Sequence, residues 1–317
     1  MKVTEHINRA DRTLFSFEIL PPKKGHSAAE IFSTVEALME FNPAFIDVTY
    51  HATQVIYKEV GDGLLKRVPV QKRPGTISMC AAITYKYGVD TVPHLICSGF
   101  SCDETEDALI ELNFLGIQNV MALRGDPIHG EKRFVPSQDG NAYALDLVRQ
   151  ISGLNQGSYL HEETEGAKTD FCIGVAGYPE KHMEAPSFNS DLKRLKEKVD
   201  AGAEFVVTQM FFNNQRYFDF VDRCRAEGIK VPIIPGLKPI TTKGQLSILP
   251  QTFSIELPDA LVDAIESAKT SADVRKVGVE WAIEQSRGLI AGGAPVLHYY
   301  TMGRSETIRQ IAQQVFK

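Results

Sequence analysis

The first residue that chemistry could use is a carboxylate at the end of a strand. Glu18 lies in Phe15-Ser16-Phe17-Glu18-Ile19-Leu20, an alternating run that Pro21 and Pro22 stop, since neither can extend a ladder. A carboxyl group so placed either pairs with a cation or waits, protonated, at the mouth of a site where it can donate. Polar residues recur at the ends of the later β-rich runs: Asp47, Thr49 and His51 at the second, His94 and Ser98 at the third, Arg124-Gly125-Asp126 at the fourth. Tyr178, Glu180 and His182 follow the fifth, Thr208 and Gln209 the sixth, Lys238 the seventh, and Thr301 and Arg304 the eighth. Singly, each has a bland explanation: Arg124 and Asp126 as a surface ion pair, His94 as a core histidine, Tyr178 as a packing aromatic. Gln209 is harder to dismiss. Beside Met210, Phe211 and Phe212, its amide must be hydrogen-bonded or cost about 1–3 kcal/mol, so it bridges the wall of the fold or meets a ligand.

The elements that must position these groups alternate. Strands are expected at 15–20, 44–50, 92–97, 118–123, 171–177, 204–211, 231–235 and 295–300, with helices at 27–41, 103–115, 142–151 and 190–202. Residues 76–87 read as a strand or as a helix ended by Gly88, and a helix keeps the strand count at eight. Eight strands, no GxGxxG and 317 residues fit an α/β fold, a single (β/α)8 TIM barrel over residues 1–317, better than an open doubly wound sheet. In such a barrel the polar strand ends share one face, the face where barrel enzymes place their chemistry. A hairpin insertion near 55–70, turning at Gly61-Asp62-Gly63, projects after the second strand. Its Val55, Ile56, Leu64, Leu65 and Val68 are too many apolar residues for a solvated flap and are expected to pack on something. Two polar stretches, 152–169 and 257–273, interrupt the rhythm, the first expected to hang from the stability face.

Composition narrows the function classes. A net charge of −6 and no basic stripe argue against a nucleic-acid partner. No apolar run approaches the ~20 residues that span a bilayer, and the N-terminus carries no export signal, so no membrane is expected and a cytoplasmic protein is. Five cysteines without CxxC spacing read as reduced, mostly buried thiols, and no metal site is expected.

Together these residues resemble the methylenetetrahydrofolate reductase family. The match runs collinearly through Phe17-Glu18-Ile19-Leu20-Pro21-Pro22, Val48-Thr49-Tyr50, Pro93-His94-Leu95 and Ala122-Leu123-Arg124-Gly125-Asp126. It continues through Ala176-Gly177-Tyr178-Pro179-Glu180, Thr208-Gln209-Met210-Phe211-Phe212, Ile234-Pro235-Gly236 and His298-Tyr299-Tyr300-Thr301. The resemblance implies an FAD-dependent reduction of 5,10-methylenetetrahydrofolate to 5-methyltetrahydrofolate with NAD(P)H, serving one-carbon metabolism and methionine synthesis, in a homo-oligomer. It implies Glu18 as the acid that opens the folate five-membered ring, and Asp126 at the flavin pyrimidine edge. Thr49, His94, Arg124, Gly125, Tyr178, His182, Asp191 and Lys198 would hold FAD, and Gln209, Gln245 and Arg304 would contact folate or nicotinamide. The chain departs from the bacterial pattern in its 55–70 hairpin and in Ala176-Gly177 for Ala-Ala. Without a C-terminal regulatory domain of the eukaryotic type, no allosteric control by that route is expected.

Two rival readings remain at this stage. A barrel lyase or aldolase would need a lysine at the end of an inner strand or a His/carboxylate metal cluster; a catalytically silent barrel would bind a nucleotide or folate as a sensor. Bound flavin, visible as a yellow colour, separates the reductase from the lyase.

Overall fold

The computed structural model describes residues 1–27, 29–50, 54–61, 63–127, 134–161 and 166–317; His51 and Asp62 lie outside them. The strands are β1 Leu14–Ile19, β2 Phe45–Val48, β3 Gln54–Glu59, β4 Leu65–Val70, β5 Asp90–Ile96, β6 Asn119–Leu123, β7 Cys172–Gly177, β8 Phe205–Thr208, β9 Ile233–Ile234, β10 Gly236–Leu237 and β11 Val296–Tyr300. Nine of them form a parallel sheet in the order β10-β11-β1-β2-β5-β6-β7-β8-β9. β9 pairs with β8, and β10 pairs with β11, on either side of Pro235. The two are halves of one barrel position, so the expected eight strands and the TIM barrel are both found. A Cβ on Gly236 would collide with the Thr208 carbonyl and the Tyr300 ring, so only glycine lets this broken strand close the barrel.

The ambiguous 76–87 segment is a helix, Thr76–Tyr87, ended by Gly88 in the left-handed region at φ 66°. The Gln54–Val70 hairpin is present as β3 and β4, an antiparallel pair apart from the barrel. Among the described residues its expected packing is not found at the tip. Leu64 and Leu65 are both 65% exposed, while Ile56 and Val68 are half-buried; the Val55 side chain lies outside what is described.

Three expectations are corrected. The sixth strand ends at Thr208, and Met210, Phe211 and Phe212 turn off the sheet into the core formed with the last helices. The 257–273 stretch is mostly helical, with Asp259–Ser267 burying Leu261 and Ile265 and a longer helix starting at Ser271 behind a Thr270–Asp273 capping box. The 152–169 stretch continues its helix to Gln156, then folds back along the helix Cys102–Phe114, where Leu160 N–H reaches Glu106 and His161 meets Asp103.

A short helix, Val3–Arg9, closes the N-terminal mouth of the barrel. Val3 is fully buried among Phe45, Val92, Met121, Cys172 and Phe205, and its N–H donates to Asn119 Oδ1 at 2.8 Å. Gly174 leaves room there for the Phe205 ring, which a Cβ would strike.

Candidate active site

Alternation along the strands decides which side chains enter the barrel. Phe17 and Ile46 pack outward against the helices, so their neighbours Glu18 and Asp47, directly opposite in the β1–β2 register, face inward. His94 enters from β5 and lies against both. Its Nε2 donates to Asp47 Oδ2 at 3.3 Å and stands 3.6 Å from Glu18 Oε2. The Asp47 side chain is 1% exposed and that of Glu18 16%, so the pair of acids sits at the floor of the mouth and only Glu18 opens upward.

Two buried histidines in this cluster are driven in opposite directions. Burial disfavours the His94 cation, but the Asp47 hydrogen bond and the charges of Glu18 and Asp47 outweigh it and raise its pKa. His298, one layer deeper on β11, is governed by burial, which lowers its pKa against the pull of Asp47 and Glu18. Asp47 and Glu18 thus favour the charged form of His94, and burial favours the neutral form of His298. His298 Nδ1 shares a 2.9 Å hydrogen bond with Ser16 Oγ, and its Nε2, like Asp47 Oδ1, is buried with no partner among the described residues. Lys238 follows β10 into the same space, its pKa lowered by burial and opposed by the charge of Glu18. Tyr300 completes the ring with its hydroxyl on Thr208 O at 2.7 Å.

A second group lies across the mouth, on β6, β7 and the helix Phe188–Asp200. Gly125, at φ 82°, turns the chain where a Cβ would come within 3.2 Å of Ile96 and Ser98. Arg124 thereby meets Glu184 at 2.5 Å and lies over the Phe134 ring, while Asp126 points to solvent. Tyr178 meets the His182 ring edge-on at 4.7 Å, and His182 N–H donates to Asp191 Oδ2 at 2.8 Å. Burial raises the Tyr178 phenol, with the Asp191 charge adding to it, and lowers His182 against Asp191. Lys198 Nζ donates to Ala176 O at 2.9 Å; burial pulls the ammonium down to about 8, with Asp191 opposing. Thr49 Oγ1 ties the ends of β1 and β2 together through Ile19 O at 3.1 Å.

The remaining expected residues are only partly assembled. Gln209 Oε1 accepts from Met210 N–H at 2.9 Å, a local contact. Gln245 Oε1 accepts from Thr241 N–H at 2.7 Å and Thr242 N–H at 3.1 Å, so it closes the turn before its own helix. Arg304 is exposed just past Thr301, whose hydroxyl donates to Glu18 O at 2.7 Å. Glu180 turns into a separate cleft of about 330 Å³ with Arg216 and Glu256, where burial raises its pKa. The sequence placed Asp47 and Lys238 at strand ends without a role. Ser16 gave no signal, and His298 gave only its place at the head of the matched run His298-Tyr299-Tyr300-Thr301.

The cations and hydroxyls of the second group suit a dinucleotide. Arg124, His182 and Lys198 offer donors to a pyrophosphate, and Ser98 Oγ is buried with no partner among the described residues.

Comparison with known proteins points the same way. A family model described as methylenetetrahydrofolate reductase matches residues 2–316. The chain is 33% identical to a probable methylenetetrahydrofolate reductase (NADH) of Oryza sativa subsp. japonica, over 97% of this chain and 49% of that protein. It is 32% identical to the 5,10-methylenetetrahydrofolate reductase of Salmonella typhimurium, over 92% of this chain and 86% of that one. The chain thus spans about half the length of the plant and fungal relatives it matches. Among solved structures, an uncharacterized protein from Clostridium thermocellum that binds two copies of 5-methyl-5,6,7,8-tetrahydrofolic acid superposes with a TM-score of 0.58, over 99% of this chain and 97% of that one. At 14% identity that likeness concerns the fold.

Proposed function

Because the chain belongs to the methylenetetrahydrofolate reductase family, we propose that it reduces 5,10-methylenetetrahydrofolate to 5-methyltetrahydrofolate, with NAD(P)H as reductant and FAD as cofactor. The observation that carries the reading is Glu18, an acid at the barrel mouth whose carboxyl lies 3.6 Å from the buried His94 ring. Arg124, His182 and Lys198 would hold the FAD pyrophosphate, Thr49, His94 and Tyr178 would line the flavin, Gly125 would set the turn that presents Arg124 and Asp126 to it, and Asp126 would stand at its pyrimidine edge. FAD supplies a hydride acceptor and donor, which no amino-acid side chain provides.

Glu18 donates its proton to the folate amine that leaves when the five-membered ring opens, creating the iminium that is then reduced. The carboxylate left behind faces His94 Nε2 at 3.6 Å, and Lys238 comes from the opposite wall. Asp47 raises the pKa of His94 and aims its ring, so it acts on the proton donor without touching substrate. Gln209, Gln245 and Arg304 orient the pterin or the nicotinamide, Gln245 after giving up its turn contacts. Lys238 is also the inner-strand lysine that a lyase would use; membership of the reductase family separates the two readings. Among the described residues no helix is long and apolar enough to cross a membrane, and we place the enzyme in the cytoplasm.

Purified protein is expected to be yellow, to bleach anaerobically with NADH or NADPH, and to recover colour with methylenetetrahydrofolate as 5-methyltetrahydrofolate forms. Colourless protein, or bleaching that folate does not reverse, contradicts this function.

A further inference from the structure

A column of polar side chains runs from the barrel mouth into its interior, and it is broken at one place. From the mouth it passes from Glu18 to His94 Nε2 at 3.6 Å, and from His94 to Asp47 Oδ2 at 3.3 Å. From below, Ser16 Oγ meets His298 Nδ1 at 2.9 Å, where β1 and β11 are in register. Between the two halves stand Asp47 Oδ1 and His298 Nε2, both buried and neither hydrogen-bonded among the described residues. His298 is fully buried and Asp47 1% exposed, so bulk solvent reaches neither. The ring is also clamped: Phe45 stacks on it at 6.1 Å and Tyr300 stands edge-on at 5.5 Å.

A buried polar atom without a partner costs about as much as a lost hydrogen bond, and two in one cluster that answer each other point to a shared occupant. Asp47 Oδ1 is an acceptor. Its charge, the strongest acting on His298, favours the tautomer with the proton on Nε2, Ser16 O–H then donating to Nδ1. Donor and acceptor do not bond directly. A cation between them would meet the Nε2 proton and an anion would meet Asp47, whereas water accepts from the one and donates to the other. His298 is flanked in the register by Ser16 on β1 and Gly236 on β10, small residues both.

We propose that one buried water bridges His298 Nε2 to Asp47 Oδ1, and that His298 is thereby a positioning residue for Glu18. The second half rests on the reading of Glu18 as the acid. With both its oxygens held, Asp47 stays ionised and fixed, His94 keeps its orientation, and the Glu18 carboxyl keeps its place. Neither His298 nor the water touches substrate. The charged groups facing His298 are Asp47 from β2, Glu18 from β1 and His94 from β5, and those facing Glu18 add Lys238 after β10 and Tyr300 on β11.

The bridge is tested on the wild-type holoenzyme without reference to turnover. A high-resolution crystal structure is expected to show an ordered water within hydrogen-bonding distance of both atoms. Nitrogen NMR of isotope-labelled histidine is expected to show His298 protonated on Nε2, assigned by the signal lost in His298→Gln. A dry contact in that place, or a proton on Nδ1, overturns the bridge. Stopped-flow kinetics then test the role. His298→Leu should slow the folate half reaction about tenfold relative to the nicotinamide half reaction and move its alkaline limb to lower pH, because a less securely ionised Asp47 raises His94 less. His298→Gln keeps a donor near the position of Nε2 and should recover most of both. An unchanged rate and pH profile in His298→Leu overturns the positioning role. So does a Gln variant as slow as the Leu variant, since the ring would then serve only as packing beside Phe45. A wild type that bleaches with nicotinamide but is not reoxidised by folate refutes the proposed function instead, and the crystallographic and NMR tests still decide the bridge.

Discussion

From strand to strand, the inward positions of the barrel change character between its two ends. On β2 the sequence passes from Phe45 to Asp47, on β5 from Val92 to His94, and on β11 from Val296 through His298 to Tyr300. The N-terminal end is apolar, sealed by Val3 and filled by Phe45, Met121, Cys172 and Phe205. The C-terminal end holds Glu18, Asp47, His94 and Lys238 within one layer. A buried ionised group costs several kcal/mol even after relaxation, whereas each large apolar side chain buried below stabilises by about 1.5–3 kcal/mol. One end thus supplies the stability that the other end's charges consume, and the two should fail differently when altered.

The largest effect is expected at the apolar end. Phe205→Ala should cost about 3–5 kcal/mol, some hundreds- to thousands-fold in the folding equilibrium. Urea unfolding would show this loss, while the folded fraction keeps the wild-type ratio of the two half reactions. A changed ratio would mean that the ends are not separable.

Asp47→Asn tests the polar end. Stability should change less, because Asn retains a hydrogen-bond acceptor for His94, but the folate half reaction should slow about 10- to 100-fold. The pH behaviour gives a second readout. His94 has its folded pKa raised, so its contribution to stability is complete below its unfolded value of about 6.5 and is lost as pH rises through the folded value. With Asn the folded value falls, so the alkaline loss of the folate half reaction should begin at lower pH and the alkaline decline in the urea midpoint should shrink. An unchanged pH profile would leave Asp47 with a packing role alone.

Lys198→Met should have the smallest effect, weakening FAD about tenfold by removal of one charge-assisted hydrogen bond. Because burial holds the unliganded ammonium at about 8, wild-type affinity should fall as pH rises above that value, and the variant should lose this dependence. Flavin fluorescence titrations at several pH values would measure both.

The barrel was legible because buried parallel strands leave short β-rich runs between helical segments, and because polar groups at strand ends fall on one face. The Val3–Arg9 helix was not, since seven mostly polar residues form a helix only by plugging the barrel floor. The helices within 257–273 were hidden by charged outer faces, and only Leu261 and Ile265 turn inward. Glu18 could be singled out from the prolines behind it. Asp47 could not be given a role, because its partner His94 arrives from a strand 47 residues away and the register that brings them together is a tertiary fact. Gln245 shows the reverse, a matching residue whose side chain is occupied by its own turn.

Glu18 as the proton donor is tested most directly by anaerobic stopped-flow spectroscopy of Glu18→Gln. Flavin reduction by the nicotinamide needs no protein acid and should stay within about threefold of wild type, while reoxidation by methylenetetrahydrofolate should slow by about 10²–10⁴. Equal slowing of both half reactions, or wild-type reoxidation, would contradict the assignment.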